Sequence, residues 1–154
     1  MTGPSPHLSW RELACVNRLA RPFGPVPRGA VVAVYPAGWR TSRAVHLAKT
    51  FEAIRARVGG PLVVNSAYRT ELYNRTIGGA PSSQHVFGRA LDLRHPSVSP
   101  PGLFAAIRDL QRAGQLPQLG GLGLYDSFVH IDVRPHEQLI AWVSGGGEVP
   151  GGRG

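Results

Sequence analysis

Apolar residues recur every three or four positions in three stretches of the chain. Ala44, Val45, Leu47, Ala48, Phe51, Ile54 and Val58 form one stripe, and Gly59-Gly60 closes it. That spacing predicts a helix capped by Thr41 or Ser42. Leu13, Val16, Leu19 and Ala20 recur in the same way after Ser9-Trp10-Arg11-Glu12. Those four residues read as a capping box, Ser9 at the N-cap and Glu12 three residues on, so a helix is expected over 10–20. Phe104, Ile107 and Leu110 predict a third helix over about 103–113, opened by Pro100-Pro101-Gly102. A last helix is expected over about 136–143, after Pro135.

Between the helices the pattern shifts to short apolar runs bounded by turn residues, the signature of strands. Candidates are 30–35, 61–66, 88–93 and a hairpin-like pair, 120–125 and 128–133, around Asp126-Ser127. Residues 68–83 are polar and contain glycine, which predicts a loop with at most a short helical turn. This order of elements predicts an α+β fold, a small antiparallel sheet packed with helices. One domain is expected over 1–144. The Gly-rich remainder, 145–154, reads as a flexible tail.

Composition narrows the picture. At 154 residues and 42% hydrophobic content the chain can bury a sizeable core. No apolar run approaches the ~20 residues that span a bilayer. The N-terminal residues lack a basic segment followed by an apolar one, so no secretory signal is expected. Cys15 is the single cysteine, which excludes an internal disulfide and any zinc site of several thiolates. Its apolar context predicts a buried, inert thiol. Seventeen basic against nine acidic side chains give a net charge of +8. That excess suits anionic partners such as nucleic acid, cell-wall polymers or a membrane surface. The arginines are scattered and no nucleic-acid-binding motif accompanies them, so nucleic acid is not expected as the main partner.

Candidate chemistry gathers in two places: Ser83-Gln84-His85-Val86-Phe87-Gly88-Arg89-Ala90-Leu91-Asp92, and Phe128-Val129-His130-Ile131-Asp132. Two imidazoles and one carboxylate are the kind of set a catalytic zinc takes, with a fourth position left for water. Strand alternation puts His130 and Asp132 on one face, with Val129, Ile131 and Val133 on the other. It likewise separates Ala90 and Asp92 from Leu91 and Leu93. A hydrogen-bonded core histidine and an arginine-paired aspartate remain open as the alternative.

The spacing Ser83-x-His85-x-x-Gly88-x-Ala90-x-Asp92, followed by His130, resembles the zinc signature of the M15 peptidases, the D-Ala-D-Ala carboxypeptidases and related peptidoglycan endopeptidases. Asn65-Ser66-Ala67-Tyr68-Arg69-Thr70, Leu8-Ser9-Trp10-Arg11-Glu12-Leu13-Ala14-Cys15 and the stretch 123–135 resemble other motifs of that family, in the right order. The resemblance implies a small α+β fold shared with hedgehog-type domains. It implies Zn2+ held by His85, Asp92 and His130, and peptidoglycan peptides as substrate. It makes Arg69 a catalytic group that binds a substrate carboxylate or carbonyl and stabilises the developing oxyanion, and it gives Ser83 a part in orienting substrate or a ligand, with a simple cap as the alternative. The acid that better-known members carry three residues before the last histidine is replaced by Ser127. Asp132 is therefore read as the proton acceptor, with Asp126, or His130 with Asp132 as ligand in its place, as alternatives; a supporting role, accepting an imidazole N–H or pairing with Arg134, is also open. The expected setting is synthesis in the cytoplasm and action on the wall after lysis, or as part of a phage-like particle. A non-catalytic wall-binding or assembly module of the same fold is the other reading.

Overall fold

The computed structural model describes residues 3–16, 33–34, 38 and 42–150. Its centre is a five-stranded sheet of β3 (Val63–Ser66), β4 (Ala90–Arg94), β5 (Gly121–Leu124), β6 (Val129–Asp132) and β7 (Ile140–Val143), in the order β3-β4-β6-β5-β7. A two-stranded ribbon, β1 (Cys15–Val16) with β2 (Ala33–Val34), lies ahead of it in sequence. The helices are α1 (Trp10–Leu13), α2 (Arg43–Val58), α3 (Glu71–Thr76) and α4 (Pro100–Arg112). The arrangement is α+β, as the pattern predicts.

Alternation along the strands divides the sheet into two chemically different faces. Leu91 and Leu93 of β4, Val129 and Ile131 of β6, and Leu122 and Leu124 of β5 are all buried. They form one core with Leu47, Phe51 and Ile54 of α2 and Leu103, Phe104 and Ile107 of α4. Burying a side chain of this size is worth roughly 1.5–3 kcal/mol, so this face fixes the register. The opposite face carries the polar residues.

Three expectations need correction. The first helix stops at Leu13, because the Tyr68 N–H takes the Leu13 carbonyl at 3.2 Å and Ala14 turns extended, at φ −77° and ψ 158°. The capping box itself forms, with Ser9 N donating to Glu12 Oε2 at 2.7 Å and Glu12 N to Ser9 Oγ at 3.2 Å. Residues 17–20, most of 30–35, the Cys15 side chain and the last four residues of the chain lie outside what is described. Second, the helix expected over 136–143 is the strand β7. Ile140 N donates to Gly120 O at 3.0 Å, and Ser144 N to Leu124 O at 2.8 Å, so the segment extends the sheet. Third, β7 runs parallel to β5, which makes the sheet mixed, not wholly antiparallel. Past β7, Val149 packs against the core, so part of the glycine-rich segment is anchored.

Two glycines on the polar face accept what no other residue could. A Cβ at Gly123 would lie 2.5 Å from the Trp142 ring, and one at Gly121 would overlap the Asp132 carboxylate. Gly121→Ala is therefore expected to destabilise the protein by about 1–3 kcal/mol through overpacking. Chemical denaturation of the metal-free protein measures this, and an unchanged midpoint would show that Asp132 is free to move aside.

Candidate metal centre

Strand register places the polar groups in one transverse row. Ser66 pairs with Asp92, Asp92 with His130, His130 with Gly123 and Gly123 with Trp142. All five strands thus contribute one residue to a single rung. His85 joins it from the loop before β4. That loop turns at Gly88, whose φ of +69° is one that other residues rarely adopt. Gly88 N and Arg69 N both bond the His85 carbonyl, at 3.1 and 3.0 Å.

His85, Asp92 and His130 are all buried, and one donor atom from each lies within 4.8 Å of the other two. His85 Nε2 and His130 Nδ1 are each 3.0 Å from the same oxygen, Asp92 Oδ1. The outer nitrogens decide the tautomers. His85 Nδ1 sits 2.6 Å from the Ala67 carbonyl, which can only accept, so the proton is on Nδ1. His130 Nε2 sits 2.8 Å from Asp132 Oδ2, another acceptor, so its proton is on Nε2. In the neutral rings the two inner nitrogens then both turn lone pairs on a carboxylate oxygen that also carries lone pairs. A second proton on the His130 ring or a bound cation relieves three converging acceptors. Tetrahedral zinc at ~2.0–2.1 Å from its ligands would space them roughly 3.3 Å apart, close to what is seen. The donor set therefore fits zinc, and Ala67 and Asp132 are the outer partners that orient the ligands.

The electrostatics follow from burial and these contacts. Burial pushes the His85 imidazole below its ordinary value, against the opposing pull of Asp92. Burial also disfavours charge on His130, but Asp132 and Asp92 outweigh it and raise the pKa. For Asp92, contacts with His130 and His85 overcome burial and hold the carboxyl well below the usual range.

Asp132 is not placed as a proton acceptor. It is completely buried and is absent from the residues lining the cavity. Oδ1 accepts from Arg134 Nε at 2.7 Å and from Arg134 N at 3.2 Å. Oδ2 accepts from Arg134 Nη2 at 2.6 Å and from His130 Nε2. Burial works to raise its pKa, yet the Arg134 and His130 hydrogen bonds bring it down to about 2. Such a group is a weak base with no free lone-pair direction. It acts on the centre through His130. Asp126 and Ser127 are exposed in the β5–β6 turn and line no part of the cavity either.

Because the folded pKa lies below the unfolded one, this carboxylate stabilises the protein above pH ~4. That contribution is lost as pH falls from there toward 2. It amounts to about 2 kcal/mol in the metal-free protein. Urea melts between pH 5 and 2 should show that loss, and Asp132→Asn should flatten it. Equal slopes in both proteins would mean that other carboxylates carry the acid transition.

Arg69, just ahead of α3, is held from three sides: Nε donates to Ser66 Oγ at 3.1 Å, Nη1 to Asn74 Oδ1 at 3.3 Å and Nη2 to Asp92 Oδ2 at 3.3 Å. It thus takes the Asp92 oxygen that the histidines leave. Thr70 caps α3 by accepting from Tyr73 N at 3.1 Å, and so fixes where the Arg69 side chain starts. Ser83 Oγ accepts from His85 N at 3.3 Å, a local cap at the cavity wall.

The cavity in front of the three donors has a volume of about 540 Å³. Arg69, Ser83, Gln84 and the 78–80 segment line it, together with Tyr125, Phe128 and Trp142, the last on β7 at the sheet edge opposite β3. Sequence reasoning did not place Asn74 or Trp142 at the site. Nothing local distinguishes Asn74, and reading 136–143 as a helix hid Trp142. The glycine-leucine alternation of β5 was the available signal, since glycines on one face need something large across from them.

Among comparisons with known proteins, the family model described as Peptidase M15 matches residues 6–132. No curated protein matches the chain.

Proposed function

The chain belongs to the M15 peptidases, and from that membership we propose that it is a zinc-dependent peptidase of peptidoglycan stem or cross-link peptides. The observation that carries the zinc assignment is the convergence of His85 Nε2 and His130 Nδ1 on one Asp92 oxygen, each at 3.0 Å. His85, Asp92 and His130 would hold the ion. Bound zinc supplies a water acidified toward pKa ~7 and a polarised carbonyl.

The remaining roles belong to the chain's own residues. Arg69 offers a fixed fork of donors to a carboxylate or carbonyl beside Asp92. Asp132, clamped by Arg134, keeps the His130 proton on the outer nitrogen. The aromatic wall excludes water from one side of the cavity. Asp92 is the one carboxylate among the described lining residues, and it is paired with Arg69. This favours substrates that bring their own negative charge, as wall peptides ending in a carboxylate do. The net charge of +8 would keep the protein near anionic wall polymers. Action on the wall after lysis, or from a phage-like particle, is the setting this reading implies.

The sealed position of Asp132 and the lack of a second carboxylate among the described lining residues favour one other reading, a zinc-bearing module without catalysis. Zinc content measured together with digestion of purified peptidoglycan separates the two. Stoichiometric zinc with release of new amino termini is expected. Stoichiometric zinc with intact muropeptides would replace the peptidase reading by the module.

A further inference from the structure

The side of the cavity away from Arg69 carries a hydroxyl that the roles above leave unused. Tyr125 follows β5 directly, and its N–H bonds the Phe128 carbonyl at 3.1 Å, which closes the turn to β6. Its ring stacks on Phe128, centroids 4.6 Å apart and planes 10° from parallel. The Trp142 indole N–H, a group that can only donate, points at the Tyr125 hydroxyl oxygen at 3.1 Å. Tyr125 therefore accepts in that bond, and its own O–H is not consumed by it. The bond also polarises the phenol and strengthens the O–H as a donor. The Trp142 ring lies 5.2 Å from the His130 ring, so the pair borders the metal donors on the His130 side. Arg69 borders them on the Asp92 side.

The two flanks differ in charge. Arg69 is a cation. On the His130 side the Arg134 guanidinium is turned onto Asp132, with its carbon 5.4 Å from the centroid of the Trp142 ring. A neutral donor there suits an oxygen that is uncharged in the substrate and anionic only as the peptide carbon becomes tetrahedral.

We infer that the Tyr125 hydroxyl donates a hydrogen bond to the oxygen of the scissile carbonyl as charge develops on it, and that Trp142 is its positioning residue. The inference rests on the peptidase reading above. In the step it serves, a water oxygen bonds to the carbonyl carbon while the C=O π pair moves onto the carbonyl oxygen, which Tyr125 binds without giving up its proton. Collapse re-forms C=O and breaks C–N, and the amine leaves with the proton the water lost. Arg69 then serves the substrate's carboxylate end.

The test compares zinc-loaded wild type, Tyr125→Phe and Trp142→Phe. Calorimetry measures binding of a phosphinate dipeptide, whose tetrahedral anionic centre mimics that charge, and of the matching amide dipeptide. Tyr125→Phe keeps the stacked ring, so zinc content should be unchanged. Its affinity for the phosphinate should fall roughly 10²-fold, the cost of one oxyanion donor, with the amide affinity within twofold. On peptidoglycan fragments kcat should fall to a similar extent with KM nearly constant. Trp142→Phe should show a smaller loss of the same kind. Phosphinate binding and kcat in Tyr125→Phe within twofold of an active wild type would overturn the inference and leave the peptidase reading standing. A zinc-loaded wild type that cleaves no wall peptide would remove both.

Discussion

Asp92→Ala is expected to abolish stoichiometric zinc binding while the sheet stays folded. Asp92 is the hub of the centre: one oxygen meets both His85 Nε2 and His130 Nδ1, and the other meets Arg69. Its neighbours along β4, Leu91 and Leu93, belong to the opposite face, so the core is untouched by the change. Loss of an outer partner typically costs 10–100-fold in metal affinity or activity. Loss of a ligand should exceed that, and hydrolysis of wall peptides should fall by more than ~10²-fold. Metal analysis after dialysis, with circular dichroism to follow the fold, gives the answer. Zinc retained at wild-type stoichiometry in a folded Asp92→Ala protein would show that the metal sits elsewhere.

Asp132→Ala should be nearly as damaging, for a different reason. The carboxylate is the partner of two groups at once, His130 Nε2 and the Arg134 guanidinium. Removing it leaves a half-buried guanidinium at the cavity wall without its counter-charge, which costs about 1–3 kcal/mol. It also frees the His130 ring to carry its proton on the inner nitrogen, which cannot then bind metal. A 10–100-fold loss in zinc affinity should accompany the loss in stability. Asp132→Ala combined with Arg134→Leu should recover part of the stability but none of the zinc affinity. Denaturation curves and zinc competition titrations read the two effects separately. If the double variant regained both, the ring of His130 would owe its orientation to packing and not to the carboxylate.

Much of this was legible in the chain. Period-two alternation correctly turned Asp92, His130 and Asp132 to one face, because Leu91, Leu93, Val129 and Ile131 had to reach the core. The stripes of α2 and α4 were equally clear, since each presents one apolar side to the sheet. For Asp132 only the alternatives were legible, a proton acceptor or a partner of His130 and Arg134. Alternation places it beside His130 but does not say that Arg134, two residues further on, folds back to close both its oxygens. The fate of 136–143 was hidden for a related reason. Ile140-Ala141-Trp142-Val143 can be helix or strand by itself, and only the bare Gly121 and Gly123 of a strand nineteen residues earlier select the strand. Asn74 shows the same limit, as its partners Arg69 and Ala80 are set by a loop whose course no periodicity encodes.

The rung that crosses all five strands also dictates when the centre can exist during folding. Asp92 and His130 stand opposite each other only in the β4–β6 register that pairs Leu91 with Ile131. A slip of one residue would turn one of them into the helix layer and bring a leucine or valine to the metal side. Bound there, zinc would find its ligands only after the longest-range pairing of the sheet has formed correctly, and binding would then stabilise that register over every neighbouring one. Metal uptake during refolding should lag behind helix formation and coincide with strand alignment, and the ion would then act as a proofreader of the sheet as well as an occupant of the site.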